Sequence, residues 1–307
     1  MLRIGVLLIA LLGGQMAVGA PDATAPLELV VLGSGGPGAV GRAASCDLVL
    51  IDGTARILVD AGPGAFARLG EAKLSLADTD IVLLTHLHID HAGELPGLFK
   101  ARAVSGGDAV LFRVWGPSGT GTHEADAWFP STSRFLDLLF GKRGAFAYLS
   151  DFAAPVTLEA HDIPAHRSAG TQSILNEGAL HISAIAGHHG NAPAVIYRID
   201  YAGKSITFSG DIDAAGLAGL RTLAKGSDLL VFNSVVLDPP GSRAILYTLH
   251  TPPLAIGELA RQTGVHRLLL SHISPAVEEN RAGVLESIRR NYQGPVSFAA
   301  DGMRVQP

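Results

Sequence analysis

One heptapeptide, Thr85-His86-Leu87-His88-Ile89-Asp90-His91, constrains this chain more than any other stretch. It follows Asp80-Ile81-Val82-Leu83-Leu84, which reads as a buried parallel strand, since a strand covered on both faces shows a continuous apolar run. A strand end is a rigid base from which a short loop aims several side chains at one point. His86 and His88 stand two apart in an extended stretch and share a face. The turn beyond them brings Asp90 and His91 to a neighbouring position, roughly 3.5 Å away in two-metal hydrolases. Single histidines usually pack or are solvated, but three histidines and an aspartate at this spacing are hard to explain as packing and read as metal ligands.

Two ions held inside a protein need more than four ligands, so further donors are expected at other strand ends. Leu180 to Ala186 reads as a strand running into Gly187-His188-His189-Gly190. Lys204 to Phe208 reads as a strand ending in Ser209-Gly210-Asp211, where a carboxylate could bridge both ions, and Val265 to Leu270 leads to Ser271-His272. Each candidate stands where an apolar run stops and a loop starts, which is where sheet-based sites are built.

THLHIDH, HHG, SGD and LLLSHISP, in that order, resemble the metallo-β-lactamase superfamily, and the likeness spans nearly all of the chain beyond residue 20. VLGSGGPG from Val31 and LVDAGPG from Leu58 resemble the opening strands of its ribonuclease Z and arylsulfatase-like branch. The resemblance implies an α/β fold, the αββα sandwich, holding two divalent metal ions, usually zinc. Carried over by position, it implies His86, His88 and His189 around the first metal, Asp90, His91 and His272 around the second, and Asp211 between them. The HHG pair leaves two alternatives: alignment from the strand side favours His189, and counting back from Pro193 favours His188. Members that open β-lactams generally lack a bridging aspartate, whereas ribonuclease Z, glyoxalase II and related esterases have one, so antibiotic degradation is the less expected activity.

Residues 1–20 carry Arg3, the apolar run Ile4 to Leu12 and the small residues Val18-Gly19-Ala20. This is the pattern of a secretory signal peptide, cleaved after Ala20, and its apolar stretch is too short for a final membrane anchor. We therefore expect a periplasmic or secreted protein whose mature chain has no stable membrane span. Cys46 is the only cysteine, can form no internal disulfide, and reads as a small core residue. Loss of Arg3 with the leader moves the formal charge from -5 to -6, and no basic stripe marks a nucleic-acid binder. The expected partner is accordingly a small-molecule ester and no nucleic acid; the oligomeric state is left open. A single domain is expected over 21–307, with roughly 122–179 as an insertion that forms a lid, a substrate wall or packing.

Other elements follow from local pattern. Leu27 to Leu32, Asp47 to Ile51, Ile57 to Val59 and Val110 to Val114 are β-prone runs, and Ala194 to Asp200 with Lys204 to Phe208 reads as a hairpin. GSGGPG lacks the lysine of a P-loop and is weak evidence for phosphate binding, so it reads as a tight turn bringing backbone close to the metals. Helices are expected over Gly93 to Ala103, Asp213 to Leu223 and Thr251 to Thr263, the last with Thr251 as cap and Pro252 in its first turn. Phe129 and Phe135 to Phe140 suggest a helix that Phe146 and Tyr148 continue as a strand-like run. Asp60 could accept a hydrogen bond from a ligand histidine or be a simple turn carboxylate, Arg198 suits a structural ion pair, and His123, His161 and His166 read as surface residues or outer supports of the site.

Two such ions would lower the pKa of a bound water toward neutrality and polarise the scissile group, so hydroxide attack needs no protein nucleophile. Asp90 and His250 are the residues expected to take part in catalysis. The resemblance places His250 near a substrate phosphate, as a proton or hydrogen-bond donor, although a helix-start histidine is the competing reading. Ribonuclease Z usually carries a His-Glu pair where this chain has Phe232-Asn233-Ser234, so the acid that would orient His250 is missing and RNA is set aside as substrate. The leading expectation is an exported hydrolase of a small phosphodiester or sulfate ester. A lactonase or β-lactamase-like carbonyl hydrolase is the alternative, and a non-catalytic metal-stabilised binding protein is the alternative of another class.

Overall fold

The computed structural model describes residues 25–38, 41–105, 108–120, 129–152, 154–166 and 168–307. The leader expected over 1–20 and His123 lie outside the described residues. The first half of the chain supplies β1 (Leu27–Gly33), β2 (Cys46–Ile51), β3 (Thr54–Val59), β4 (Ile81–Leu83), β5 (Val110–Pro117) and β6 (Val156–Ile163). The second supplies β7 (Gln172–Glu177), β8 (Leu180–Ala186), β9 (Val195–Tyr201), β10 (Lys204–Phe208), β11 (Leu229–Asn233), β12 (Arg267–Ser271), β13 (Val296–Phe298) and β14 (Arg304–Val305). They form two seven-stranded sheets, ordered β14-β1-β2-β3-β4-β5-β6 and β13-β12-β11-β10-β9-β8-β7. The chain's last strand crosses back to pair with its first.

Period-two alternation assigns each strand's side chains to two cores. Leu29, Val31, Ile57, Ile81 and Leu83 meet Ile182, Tyr197, Ile206, Phe208 and Val231 between the sheets. Val30, Leu48, Leu58 and Val82 face outward, under α1 (Ala65–Glu71), α3 (Leu95–Ser105), which follows the single turn α2 (Ile89–Ala92), and α4 (Thr132–Phe140). On the other side Ile196, Leu230, Phe232 and Leu270 lie under α5 (Leu217–Leu223), α6 (Pro253–Thr263) and α8 (Arg281–Arg289), the last preceded by the turn α7 (Pro275–Glu279). Helices thus cover both outer faces of a double sheet, the αββα sandwich. Because both faces of these strands are buried, they read as uninterrupted apolar runs.

Antiparallel pairing of β1 with β2 and β2 with β3, and of β8 with β9 and β9 with β10, gives β1, β3, β8 and β10 the common direction of the parallel strands. The carboxyl ends of β1, β3, β4, β8, β10, β11 and β12 therefore lie along one edge of the sandwich. Hydrogen bonds join the sheets there: Val195 N donates to Thr85 O at 2.8 Å, Ile273 N to Ser34 O at 2.8 Å, and the buried Tyr197 hydroxyl to Leu84 O at 3.0 Å. At the opposite edge Arg56 and Arg113 each pair with both Asp80 and Glu177, at 2.5 to 3.6 Å.

Three local expectations need correction. The chain after α4 does not extend at Phe146: Phe146 N turns back onto Leu139 O, and Ala147–Asp151 is a 3-10 helix whose neighbours Phe146 and Phe152 pack under the outer helices. Thr251 is no helix cap, because its hydroxyl donates to Ile212 O, and α6 starts at Pro253 with Pro252 before it. α5 starts at Leu217 because the Asp213 carboxylate receives Ala215 N and holds residues 213 to 216 as a turn. The stretch expected as an insertion carries β6 and β7, the edge strands of the two sheets. Among the described residues no helix is long and apolar enough to cross a membrane.

Replacing Tyr197 with phenylalanine leaves the Leu84 carbonyl without its buried donor and is expected to cost about 1 to 3 kcal/mol, read as a lower urea midpoint of the metal-free protein.

Candidate metal centre

The heptapeptide leaves β4 extended through His88 and then makes the single turn α2, in which the backbone N–H groups of His91 and Ala92 both donate to His88 O. That turn carries Asp90 and His91 inward while Ile89 points to solvent. His189 comes from the loop after β8, Asp211 from the loop after β10 and His272 from the end of β12. Three overlapping groups result, each with ligand atoms within 4.8 Å of one another: His86, His88 and His189; Asp90, His91, Asp211 and His272; and His189, Asp211 and His250.

Asp211 lies at the centre. His91 Nε2 and His272 Nε2 are each 3.6 Å from Asp211 Oδ2, His189 Nε2 is at 3.7 Å, His250 Nδ1 at 3.9 Å and His86 Nε2 at 4.0 Å. Asp90 Oδ2 lies 3.1 Å from His272 Nε2 and 3.7 Å from His91 Nε2. These separations suit a cation between the atoms: two ligands each about 2.1 Å from one tetrahedral ion stand roughly 3.4 Å apart.

The outward ring nitrogens are held by the chain. His91 Nδ1 donates to Asp60 Oδ2 at 2.7 Å, and His189 Nδ1 donates to Leu249 O at 2.8 Å. Thr85 donates its hydroxyl to Asp60 at 2.8 Å and lies 3.2 Å from His86 Nδ1. Protons fixed on Nδ1 leave the Nε2 lone pairs directed inward. Consistent with that, the buried Nε2 atoms of His86 and His91 have no hydrogen-bond partner among the described residues. An orphaned buried acceptor is costly unless something binds it, so the donor set fits a metal ion.

Electrostatics points the same way. Burial holds the His86 and His88 imidazoles below their ordinary range and therefore neutral, the form that ligates. Burial also opposes charge on His91, but Asp60 and Asp211 outweigh it and raise that ring well above the usual imidazole range. For Asp211 burial disfavours the anion, yet His272 and His91 hold its carboxyl well below the usual carboxylate range. The pocket thus sets neutral rings, and one ring driven toward its charged form, His91, around one buried anion.

His188 stays outside: its Nδ1 donates to Asp213 Oδ2 at 2.6 Å on the half-exposed side of the loop. His250 is nearly buried, and burial lowers its pKa to about 4, so its ring is neutral. His161 stacks on Trp115 with ring centroids 4.7 Å apart, and His166 is exposed. Arg198 pairs with Asp200 at 2.9 Å and donates to the Lys225 carbonyl at 2.8 Å. GSGGPG does bring backbone to the site, since a Cβ on Gly36 would stand 2.8 Å from His272 Nδ1. Sequence reasoning assigned no place to Thr85, although it stands at the head of the quoted motif, nor to Asn233, whose side chain donates to Asp211 Oδ1 at 2.7 Å.

Residues 55–273, well over half of the chain, match the sequence model described as "Beta-lactamase superfamily domain". The chain belongs to the metallo-β-lactamase superfamily and is a metal-dependent hydrolase of that fold. Within the superfamily it falls on the ribonuclease Z branch. A ribonuclease Z of Mycobacterium avium is 28% identical over 288 residues, covering 91% of this chain and 98% of the relative. The fold is shared with the crystal structure of the short form of human tRNase Z, at a TM-score of 0.67 and 19% identity over 91% of this chain and 99% of that one. It is shared equally with YhfI from Bacillus subtilis, a metallo-β-lactamase fold protein, at 0.67 and 19% over 92% and 100%.

The expectation of a small-molecule ester partner and no nucleic acid does not stand, because the relatives are named as ribonucleases. Its weakness was physical: net charge averages over the whole surface, whereas a phosphodiester is met by the charge of one site.

His189→Ala is expected to lose bound metal while His188→Ala retains it, and Asp60→Ala to weaken metal binding roughly 10- to 100-fold, all read by elemental analysis and chelator competition.

Proposed function

We propose that this chain hydrolyses an RNA phosphodiester with two divalent cations, most simply zinc. His86, His88 and His189 would hold one, Asp90, His91 and His272 the other, and Asp211 both. The observation that carries this reading is the convergence of five imidazole nitrogens on the single oxygen Asp211 Oδ2, in a chain whose relatives are named ribonuclease Z. Divalent ions bound there activate water and polarise a phosphoryl group, so no serine or cysteine nucleophile is called for.

The chain's own residues supply orientation and exclude solvent. Thr85, Asp60 and the Leu249 carbonyl hold the ligand rings in one tautomer. His250, neutral and beside Asp211, can offer a hydrogen bond to a phosphate oxygen but carries no proton to release as an imidazolium at neutral pH. Its partner in such a contact is the substrate, since β11 ends in Asn233 and is followed by Ser234, neither of which is an acid.

The test is metal content of the purified protein by elemental analysis, with cleavage of short RNA, an aryl phosphodiester, an aryl sulfate, a lactone and a cephalosporin assayed on the same sample. Two metals per chain with RNA and phosphodiester cleavage are expected. His86→Ala and Asp211→Ala should each lose metal and lower activity beyond the roughly 100-fold seen for outer supporting residues, and His161→Ala should do neither. Lactone or cephalosporin opening without phosphodiester turnover would overturn the reading.

The first 20 residues support export as part of the same proposal. Amino-terminal sequencing of protein recovered from cell fractions and culture fluid is expected to begin at Pro21; a cytoplasmic protein beginning at Met1 would remove it.

A further inference from the structure

The two oxygens of Asp211 have different neighbours. Oδ2 is approached by ring nitrogens of His86, His91, His189, His250 and His272 at 3.6 to 4.0 Å. Oδ1 instead accepts the side-chain amide of Asn233, whose Nδ2 donates at 2.7 Å. Asn233 is the last residue of β11, nearly buried, and set opposite Ser271 on β12. Its backbone N–H donates to Ser209 Oγ at 3.2 Å, on the strand end that carries Asp211. The amide is therefore anchored by the backbone of one strand and reaches across to the loop of the next.

We propose that Asn233 is a positioning residue that locks the Asp211 carboxylate so that one oxygen alone, Oδ2, serves both donor sets. The proposal rests on the metal reading given above. A carboxylate free to turn about its Cβ–Cγ bond can present both oxygens to one ion and neither squarely to the other. An amide donor on Oδ1 removes that freedom, because rotating the carboxylate breaks a buried hydrogen bond. The residue must also not be an anion at this place: an ionised aspartate or glutamate has no proton to donate and would set a like charge against Asp211. Asparagine meets both conditions. This gives a physical role to the departure at Phe232-Asn233-Ser234, which otherwise reads only as a missing acid.

The experiment titrates metal-free full-length protein with zinc against a chromogenic chelator and compares wild type, Asn233→Ala, Asn233→Asp and Ser234→Ala. Asn233→Asp keeps the shape of the side chain while withdrawing the amide donor. Ser234 is the neighbouring control, with a buried hydroxyl that has no partner to lose. Wild type and Ser234→Ala should take up two equivalents, and both Asn233 variants should bind the weaker equivalent roughly 10- to 100-fold less tightly, the range for residues that orient a ligand. The visible absorption of the cobalt-loaded Asn233 variants should change as the ligand geometry relaxes, and excess zinc should restore part of their activity, neither of which a packing defect produces. Wild-type affinity for both equivalents in Asn233→Ala would overturn the role given to Asn233. Wild-type protein that takes up no metal would instead overturn the metal reading on which it rests.

Discussion

A single buried carboxylate, Asp211, sets the terms for the rest of this molecule. Removing an anion from water costs several kcal/mol even after the protein relaxes around it, so its surroundings must return positive charge. An amide donates to one oxygen, and the five ring nitrogens around the other stand where a cation would balance it. When only protons are available, the balance falls on His91, which Asp60 and Asp211 drive toward the charged form. A divalent ion supplies the same charge more compactly and displaces such protons, which couples metal affinity to pH.

The frame that delivers these groups accepts local strain to do so. Asp60 and His272 both adopt left-handed backbone, at φ of 59° and 53°, although neither is glycine. Such conformations cost of order 1 to 3 kcal/mol each and persist where surrounding structure enforces them. Here the enforcement is visible: Asp60 receives the Thr85 N–H and hydroxyl and the His91 ring, and the residue after His272 donates its N–H to Ser34 O. Glycine is required where backbone must pass against these residues. A side chain on Gly62 would collide with the Asp90 carbonyl, and one on Gly210, at φ of 57°, would stand 2.7 Å from Thr85 Cβ.

What charge implies for a substrate depends on the scale at which it is counted. A formally acidic chain is a poor candidate for wrapping along a polyanion, because non-specific nucleic-acid binding grows with the number of phosphates neutralised. Cleaving one phosphodiester makes a different demand, that positive charge be concentrated where one phosphoryl group sits. The cations that the gathered histidines are suited to hold would answer that demand without a basic surface.

Much of the fold was legible because burial on both faces writes itself as apolar runs, and the ends of those runs located β1, β2, β4, β8 to β10 and β12 within a few residues. The gathering of His86, His88, Asp90 and His91 was legible for a related reason: four side chains of one loop must be close in space because they are close along the chain. The His188 and His189 alternative was not decidable in that way, since adjacent residues differ only in which side of a loop they face, and the Asp213 carboxylate on one side and the Leu249 carbonyl on the other make that choice. Helix starts failed where a polar side chain found a distant partner, as Thr251 found Ile212. The sequence by itself thus determined the layered architecture and the kinds of ligand, because these follow from periodicity and local spacing. Only the tertiary structure decided which oxygen of Asp211 faces the histidines, what holds the other, and how the strand ends of two sheets close on one point, because those contacts join residues far apart in the chain.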